Sequence, residues 1–214
     1  MRKRALLLLS GGIDSPVAGK LLQDAGFELE AVHFSLEPFT DDSPEVKATA
    51  LARLIGLERL FVVPAGELFG ELTKRCAHPM YFVLSKRLMV RAAGALAERL
   101  GCAFLATGEN LGQVSSQTLP NLRTIDAAAP LPVLRPLVAY DKLDIVRLAE
   151  RWGTFEVSKG PEMCDALGPA HAATASSPAT AEAEEAKVDV PALVARALAT
   201  VREKRVAPRA APAA

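Results

Sequence analysis

Ala5-Leu6-Leu7-Leu8-Leu9-Ser10-Gly11-Gly12-Ile13-Asp14-Ser15 decides how the rest of the chain is read. An apolar run passes directly into a glycine pair flanked by hydroxyls. Val17, Ala18, Leu21, Leu22 and Ala25 then recur at helical spacing until Gly26 ends the run. Ala5–Leu9 therefore reads as a strand buried on both faces, followed by a glycine turn and an amphipathic helix. Consecutive glycines let backbone N–H groups converge, and the helix directs the positive end of its dipole at the turn. Ser10 and Ser15 add hydroxyl donors, so the loop suits phosphate or pyrophosphate. It is not a Walker A loop, because Asp14 stands where the first glycine is required and Leu21 where Ser or Thr is required. Nor is it G-x-G-x-x-G.

Working outward, strands alternate with helices. Leu29–Ser35, Leu60–Val63, Ala103–Thr107 and Val133–Leu137 read as further strands. Helices are predicted from the Asp42-Ser43-Pro44 start, within Pro79–Leu100 up to Gly101, and after Asp141. This alternation predicts an α/β fold with a doubly wound, mainly parallel five-stranded sheet. Ligands of such sheets bind at the carboxyl ends of the strands. Residues 1–170 read as that domain. Residues 171–206 read as a helical extension packed on it, with Asp189 and Pro191 starting a helix striped by Leu193, Val194, Ala197, Leu198 and Val201. The Ala/Pro-rich residues 207–214 read as a disordered tail.

Composition narrows the setting. The chain has 214 residues, 50% apolar, with 25 basic and 25 acidic side chains and a formal net charge of zero. That excludes a wholly disordered protein and gives no general signature of a nucleic-acid or membrane binder. Residues 1–10 resemble the start of a signal peptide, but the apolar part is too short for one. No segment supplies the roughly 18 apolar residues of a membrane span. Three widely spaced cysteines, Cys76, Cys102 and Cys164, make neither a disulfide framework nor a zinc ribbon, which points to a reducing cytoplasm.

Downstream segments carry more specific information. Lys86-Arg87-Leu88-Met89-Val90-Arg91 is followed by Ala106-Thr107-Gly108-Glu109-Asn110-Leu111-Gly112-Gln113-Val114-Ser115-Ser116-Gln117-Thr118-Leu119, and then by Leu134-Arg135-Pro136-Leu137. Tyr140-Asp141-Lys142, Trp152-Gly153-Thr154 and Pro161-Glu162-Met163-Cys164 complete the series. The Ser10–Ser15 loop resembles that of the PP-loop ATP pyrophosphatases, of adenine nucleotide alpha hydrolase-like fold. The whole series, from about residue 5 to about residue 185, resembles the catalytic domain of the tRNA 4-thiouridine synthase (ThiI) family.

The resemblance implies ATP-dependent adenylation of a uridine O4 in tRNA, replacement of that oxygen by sulfur, and release of AMP and pyrophosphate. It implies nucleotide contacts at Leu8, Leu9, Ser10, Gly11, Gly12, Asp14, Ser15, His33, Phe34, Lys86, Gly108 and Gln117. Asp14 would organise Mg²⁺ or the loop. Cys164 would take part in sulfur transfer, as resolving thiol or as carrier. Cys76, beside Lys74, Arg75 and His78, is a second thiol whose surroundings would favour the thiolate. The implied partners are tRNA and a sulfur donor, either a cysteine desulfurase or a rhodanese-like protein.

Departures from the family pattern set further expectations. The THUMP RNA-binding module and the rhodanese domain are not seen in this sequence. Phe82 and Ser85 stand where some relatives carry a cluster-binding C-x-x-C, so no iron–sulfur cluster is expected. Lys74, Arg75, Arg87, Arg91 and the Arg202–Arg209 stretch are the basic groups available to tRNA, alone or with a separate RNA-binding protein or a dimer partner. The alternatives are a PP-loop enzyme adenylating a small molecule and a role in thiamine-thiazole sulfur transfer.

Overall fold

The computed structural model describes residues 3–160 and 166–206. The chain begins with β1 (Lys3–Leu8), α1 (Asp14–Asp24), β2 (Phe27–Ser35), α2 (Ser43–Leu54), β3 (Arg59–Pro64) and α3 (Gly66–Arg75). It continues with α4 (Tyr81–Leu100), β4 (Phe104–Ala106), α5 (Leu119–Asp126), β5 (Val133–Leu134), α6 (Lys142–Arg151) and the single turn α7 (Phe155–Ser158). It closes with α8 (Pro178–Glu185), α9 (Val190–Ala199) and β6 (Arg202–Arg205).

The sheet order is β5-β4-β1-β2-β3-β6. The five strands expected from the sequence run parallel, and β6 adds a sixth, antiparallel strand on the β3 edge. The expectation of five strands is corrected by this edge strand. Its Arg-Glu-Lys-Arg sequence has no apolar alternation, so nothing local marks it. It is held by pairing with β3 and by Arg202 and Lys204, which reach Glu45 of α2 at 2.9 and 2.8 Å. Charged side chains on an outer strand also discourage pairing with another chain.

Alternation along the strands divides the core. Leu6, Val32, Phe61, Val63 and Leu105 face α3, α4 and α5, together with Ala181 of α8 and Leu193 and Ala197 of α9. Ala5, Leu7, Ala31, Val62 and Ala106 face the opposite layer, where Leu22 of α1 and Ala48 and Ala52 of α2 cover them. Val17 and Ala18 of α1 pack with Leu137, and with Ile145 and Ala149 of α6. Helix ends follow the sequence signals: Gly101 closes α4 at φ 68°, and Asp141 caps α6 by accepting the Leu143 N–H at 2.8 Å.

Strands β1, β2 and β3 succeed one another to one side, whereas β4 and β5 lie to the other. The order therefore reverses between β1 and β4, and a crevice opens beyond their carboxyl ends. The Ser10–Ser15 loop follows β1, and Gly108 follows β4.

Candidate active site

The loop after β1 is organised by its own hydroxyls. Ser15 Oγ accepts the Ser10 backbone N–H at 2.9 Å and lies 3.0 Å from Ser10 Oγ, which in turn accepts the Gly12 N–H at 3.2 Å. Helix α1 starts here with no side-chain cap, which leaves its first-turn amides and its dipole directed at the loop. Gly108 is required by contact. A Cβ there would lie 2.5 Å from the Ser15 nitrogen and 2.6 Å from the Asp14 carbonyl carbon. Glycine thus lets the turn after β4 press against the start of α1.

Leu8, Leu9, Ser10, Gly11, Gly12, Asp14, Ser15, His33, Phe34, Lys86, Gly108 and Gln117 all line one cavity of about 830 Å³. Phe82 and Ser85 line it as well, as do Phe69, Tyr81, Met89 and Val90. The lining thus combines a polar loop rich in backbone N–H groups with apolar and aromatic side chains. Gln117 Oε1, Gln113 Nε2 and His33 Nε2 are shielded from solvent without a hydrogen-bond partner among the described residues. Buried polar atoms left unpaired are costly, and along a cavity wall they call for a polar ligand. Loop donors, apolar lining and unpaired polar atoms together fit a nucleotide polyphosphate.

Charge around the cavity is paired across long sequence distances. Lys142, in the first turn of α6, donates to Asp14 Oδ1 at 2.6 Å and to Gln113 Oε1 at 3.2 Å. Lys86 of α4 donates to Glu109 Oε1 at 2.6 Å. Arg135, just beyond β5, donates to Glu109 Oε2 at 2.8 Å. Burial alone would raise the Glu109 carboxyl, but the charges and hydrogen bonds of Lys86 and Arg135 outweigh it and hold the pKa at about 2. His33 is lowered by burial, against the opposing hydrogen bond between its Nδ1 and the Leu9 carbonyl. Glu109, Arg135 and Lys142 lie in the family-like segments but carry no assignment from the sequence. Their roles depend on partners far along the chain.

For Mg²⁺ the loop's own carboxylate is Asp14, whose Oδ1 is engaged by Lys142. Among the described residues, no group of three His, Cys, Asp or Glu is arranged to hold a metal ion. Mg²⁺ keeps several waters and is commonly held by one or two carboxylates with substrate phosphates. Asp14 fits the ion in that way, alongside a bound triphosphate.

Several sequence expectations require correction. Arg87 is fully buried and forms a two-point ion pair with Glu185 at 2.7 and 2.8 Å, so it does not face RNA. Arg91 shares the same carboxylate, and Arg202 is paired with Glu45. Lys74 and Arg75 are exposed as expected. Cys76 is not a favoured thiolate. Burial and the nearby Glu184 raise its pKa, and its Sγ meets the Glu184 carbonyl at 3.4 Å. Cys102 is likewise buried and raised, which fits a packing role. Cys164 lies outside the described residues, as does the tail from residue 207. Among the described residues, no helix is long and apolar enough to cross a membrane.

Comparison with known proteins adds a second line. Residues 1–190 match the family model described as thiamine biosynthesis protein (ThiI). The chain is 44% identical over 201 residues to a "Probable tRNA sulfurtransferase" of Nocardia farcinica, covering 91% of this chain and 49% of that protein. It is 40% identical over 213 residues to a protein of the same name from Moorella thermoacetica, covering 97% of this chain and 55% of that one. It superposes with a TM-score of 0.91 and 37% identity on a 4-thiouridine synthetase solved in complex with RNA and bound ATP, covering 96% of this chain and 55% of that chain. The chain spans about half the length of the curated relatives it matches. A PP-loop at the β1/β4 switch point and a family match over most of the chain agree: this protein belongs to the ThiI family.

Proposed function

We propose that this chain is the adenylating core of a tRNA sulfurtransferase forming 4-thiouridine. The observation that carries the reading is the convergence on one cavity of the Ser10–Ser15 loop, Lys86, Gly108 and Gln117, residues drawn from three separate parts of the sequence. The likeness to a 4-thiouridine synthetase with RNA and ATP supports it.

A uridine O4 is a poor leaving group, and adenylation makes it a good one. In this reading the amides and hydroxyls of Ser10–Ser15 hold the β and γ phosphates of ATP, and the apolar wall takes the base. O4 attacks the α phosphorus, the bond to the bridging oxygen breaks, and pyrophosphate leaves. Lys86 offsets the negative charge that gathers on the phosphate oxygens. Mg²⁺, held with Asp14, would neutralise polyphosphate charge. The terminal sulfur of a persulfide then attacks C4 and AMP departs with the former O4. A second thiol attacks the donor cysteine's sulfur, breaking the S–S bond, so that a disulfide forms and the sulfur stays on C4 as 4-thiouridine. Cys164 supplies a thiol to this sulfur chemistry, as resolving group or as carrier. The sulfur comes from a cysteine desulfurase or a rhodanese-like donor, in the cytoplasm.

The test is incubation of the protein with ATP, Mg²⁺, a persulfide donor and unmodified tRNA, followed by mass spectrometry. AMP and 4-thiouridine formed together support the reading. AMP formation stimulated by a small metabolite and not by tRNA overturns it.

A further inference from the structure

The Glu109 carboxylate is held from both sides. Oε1 takes the Lys86 ammonium at 2.6 Å, whereas Oε2 takes Arg135 Nε at 2.8 Å and the Thr107 hydroxyl at 3.2 Å. The two cations differ in freedom. The Arg135 side chain is 10% exposed and is also pinned to Asp126 of α5 at 2.6 and 3.1 Å. Lys86 is 25% exposed and lines the cavity, and among the described residues its ion pair is with Glu109 alone. Because Arg135 and Thr107 stay with Oε2, Glu109 remains ionised and hydrogen-bonded even when Lys86 turns toward another anion. A carboxylate with a single cation would lose its compensation in that event.

We infer that Glu109 is a positioning residue for Lys86: it fixes the ammonium on the cavity wall, where it meets the phosphates of a bound nucleotide. The inference rests on the ATP-binding reading given above. A lysine ammonium has three donors, and one is spent on Glu109. The remaining two are presented to the cavity without first being gathered from solvent, which saves the conformational entropy of a long flexible side chain. Arg135 and Asp126 are the fixed frame on which Glu109 stands, tying the ends of α5 and β5 to the mouth of β4.

The experiment is a double-mutant cycle read by ATP binding in the presence of Mg²⁺, using titration calorimetry on the full chain. The variants are Glu109→Gln, Lys86→Met and both together, with a melting temperature recorded for each. Glu109→Gln is expected to weaken ATP about tenfold, equivalent to ~1.4 kcal/mol. In the Lys86→Met background the same change is expected to alter affinity less than about twofold, the ordinary scatter of additivity. An equal loss in both backgrounds would mean that Glu109 acts on the fold and not through Lys86, and it overturns the inference. An unaltered affinity in Glu109→Gln alone also overturns it. Glu109→Asp keeps the charge that Arg135 needs and shortens the reach to Lys86. It takes the same place in the cycle should Glu109→Gln fail to fold, with the same loss of effect expected beside Lys86→Met. Absence of ATP binding in the unmodified protein is a separate result, which overturns the ATP-binding reading and this inference with it.

Discussion

Lys142 Nζ lies 2.6 Å from Asp14 Oδ1, joining residues 128 apart and linking the first turn of α6 to the phosphate loop. Both side chains are partly solvated, at 47% and 22% exposure, so the pair adds little to stability, within about 0–1 kcal/mol. Its position at the loop gives it a functional weight that its energy lacks. Lys142→Met and Asp14→Asn are expected to lower the AMP-forming rate at least ~100-fold, the scale of removing one preorganised electrostatic group. Melting temperatures should move by no more than about 4 °C. Rate and melting measured on the same samples check this, and a rate loss that merely tracks unfolding contradicts it.

Gly108 is the tightest backbone approach in the site. Gly108→Ala places a methyl 2.5 Å from the Ser15 nitrogen, and backbone on both sides must give way. The expected cost is ~1–3 kcal/mol, as for other overpacked positions, accompanied by weakened ATP binding. Urea denaturation and ATP titration of the one variant measure both effects.

Arg87 and Glu185 tie α4 to α8 through a fully buried guanidinium, which also donates to the Thr124 carbonyl at 2.5 Å. Glu185→Ala strands that charge, and breaking a buried pair in this way costs ~3–5 kcal/mol. A fall of about 10 °C in melting temperature is expected for a chain of this size. Arg87 makes no solvent contact, so a folded Arg87→Met variant should show the unmodified salt dependence of tRNA binding. Filter binding at several salt concentrations checks the second expectation.

Acid should destabilise the protein through His33 and through the carboxylates that neighbouring cations and hydrogen bonds hold low, Glu109 and Glu185 among them. Glu109 is held at about 2, against 4.5 for an unperturbed carboxyl. Between those values the unfolded chain binds the extra proton, so stability present above pH 4.5 is lost as the pH falls toward 2, on the order of 3 kcal/mol. His33 is lowered from 6.5 by burial, and the same sign holds: the unfolded chain takes up the proton first as the pH drops below 6.5. Urea midpoints from pH 8 to pH 2.5 should fall in two stages. His33→Gln should remove the upper stage, and Glu109→Gln should shrink the lower, which Glu185 and Glu45 share.

The parallel sheet and the phosphate loop were legible in the sequence because their causes are local. Ala5–Leu9 must be buried, Gly11-Gly12 must turn, and the stripe from Val17 to Ala25 must be a helix, whatever the rest of the chain does. Three features escaped because their causes are not local. Strand β6 has no pattern of its own and exists because β3 offers an open edge and Glu45 two acceptors. Arg87 looks like one more solvated cation until Glu185, 98 residues away, follows it into the core. Cys76 sits among basic residues in sequence, yet burial and not their charge sets its thiol.

Periodicity and turn chemistry act over a few residues, so the sequence alone determined the alternation of strands and helices and the loop that faces the crevice. Ion pairing and desolvation depend on which groups the packing brings within about 4 Å, where the Coulomb energy is large enough to compete with the cost of leaving water. Tertiary structure alone therefore decided which partners hold the cavity's charges, Lys142 for Asp14 and Glu109 for Lys86. It likewise decided which charges are spent holding the fold, as Arg87 is on Glu185.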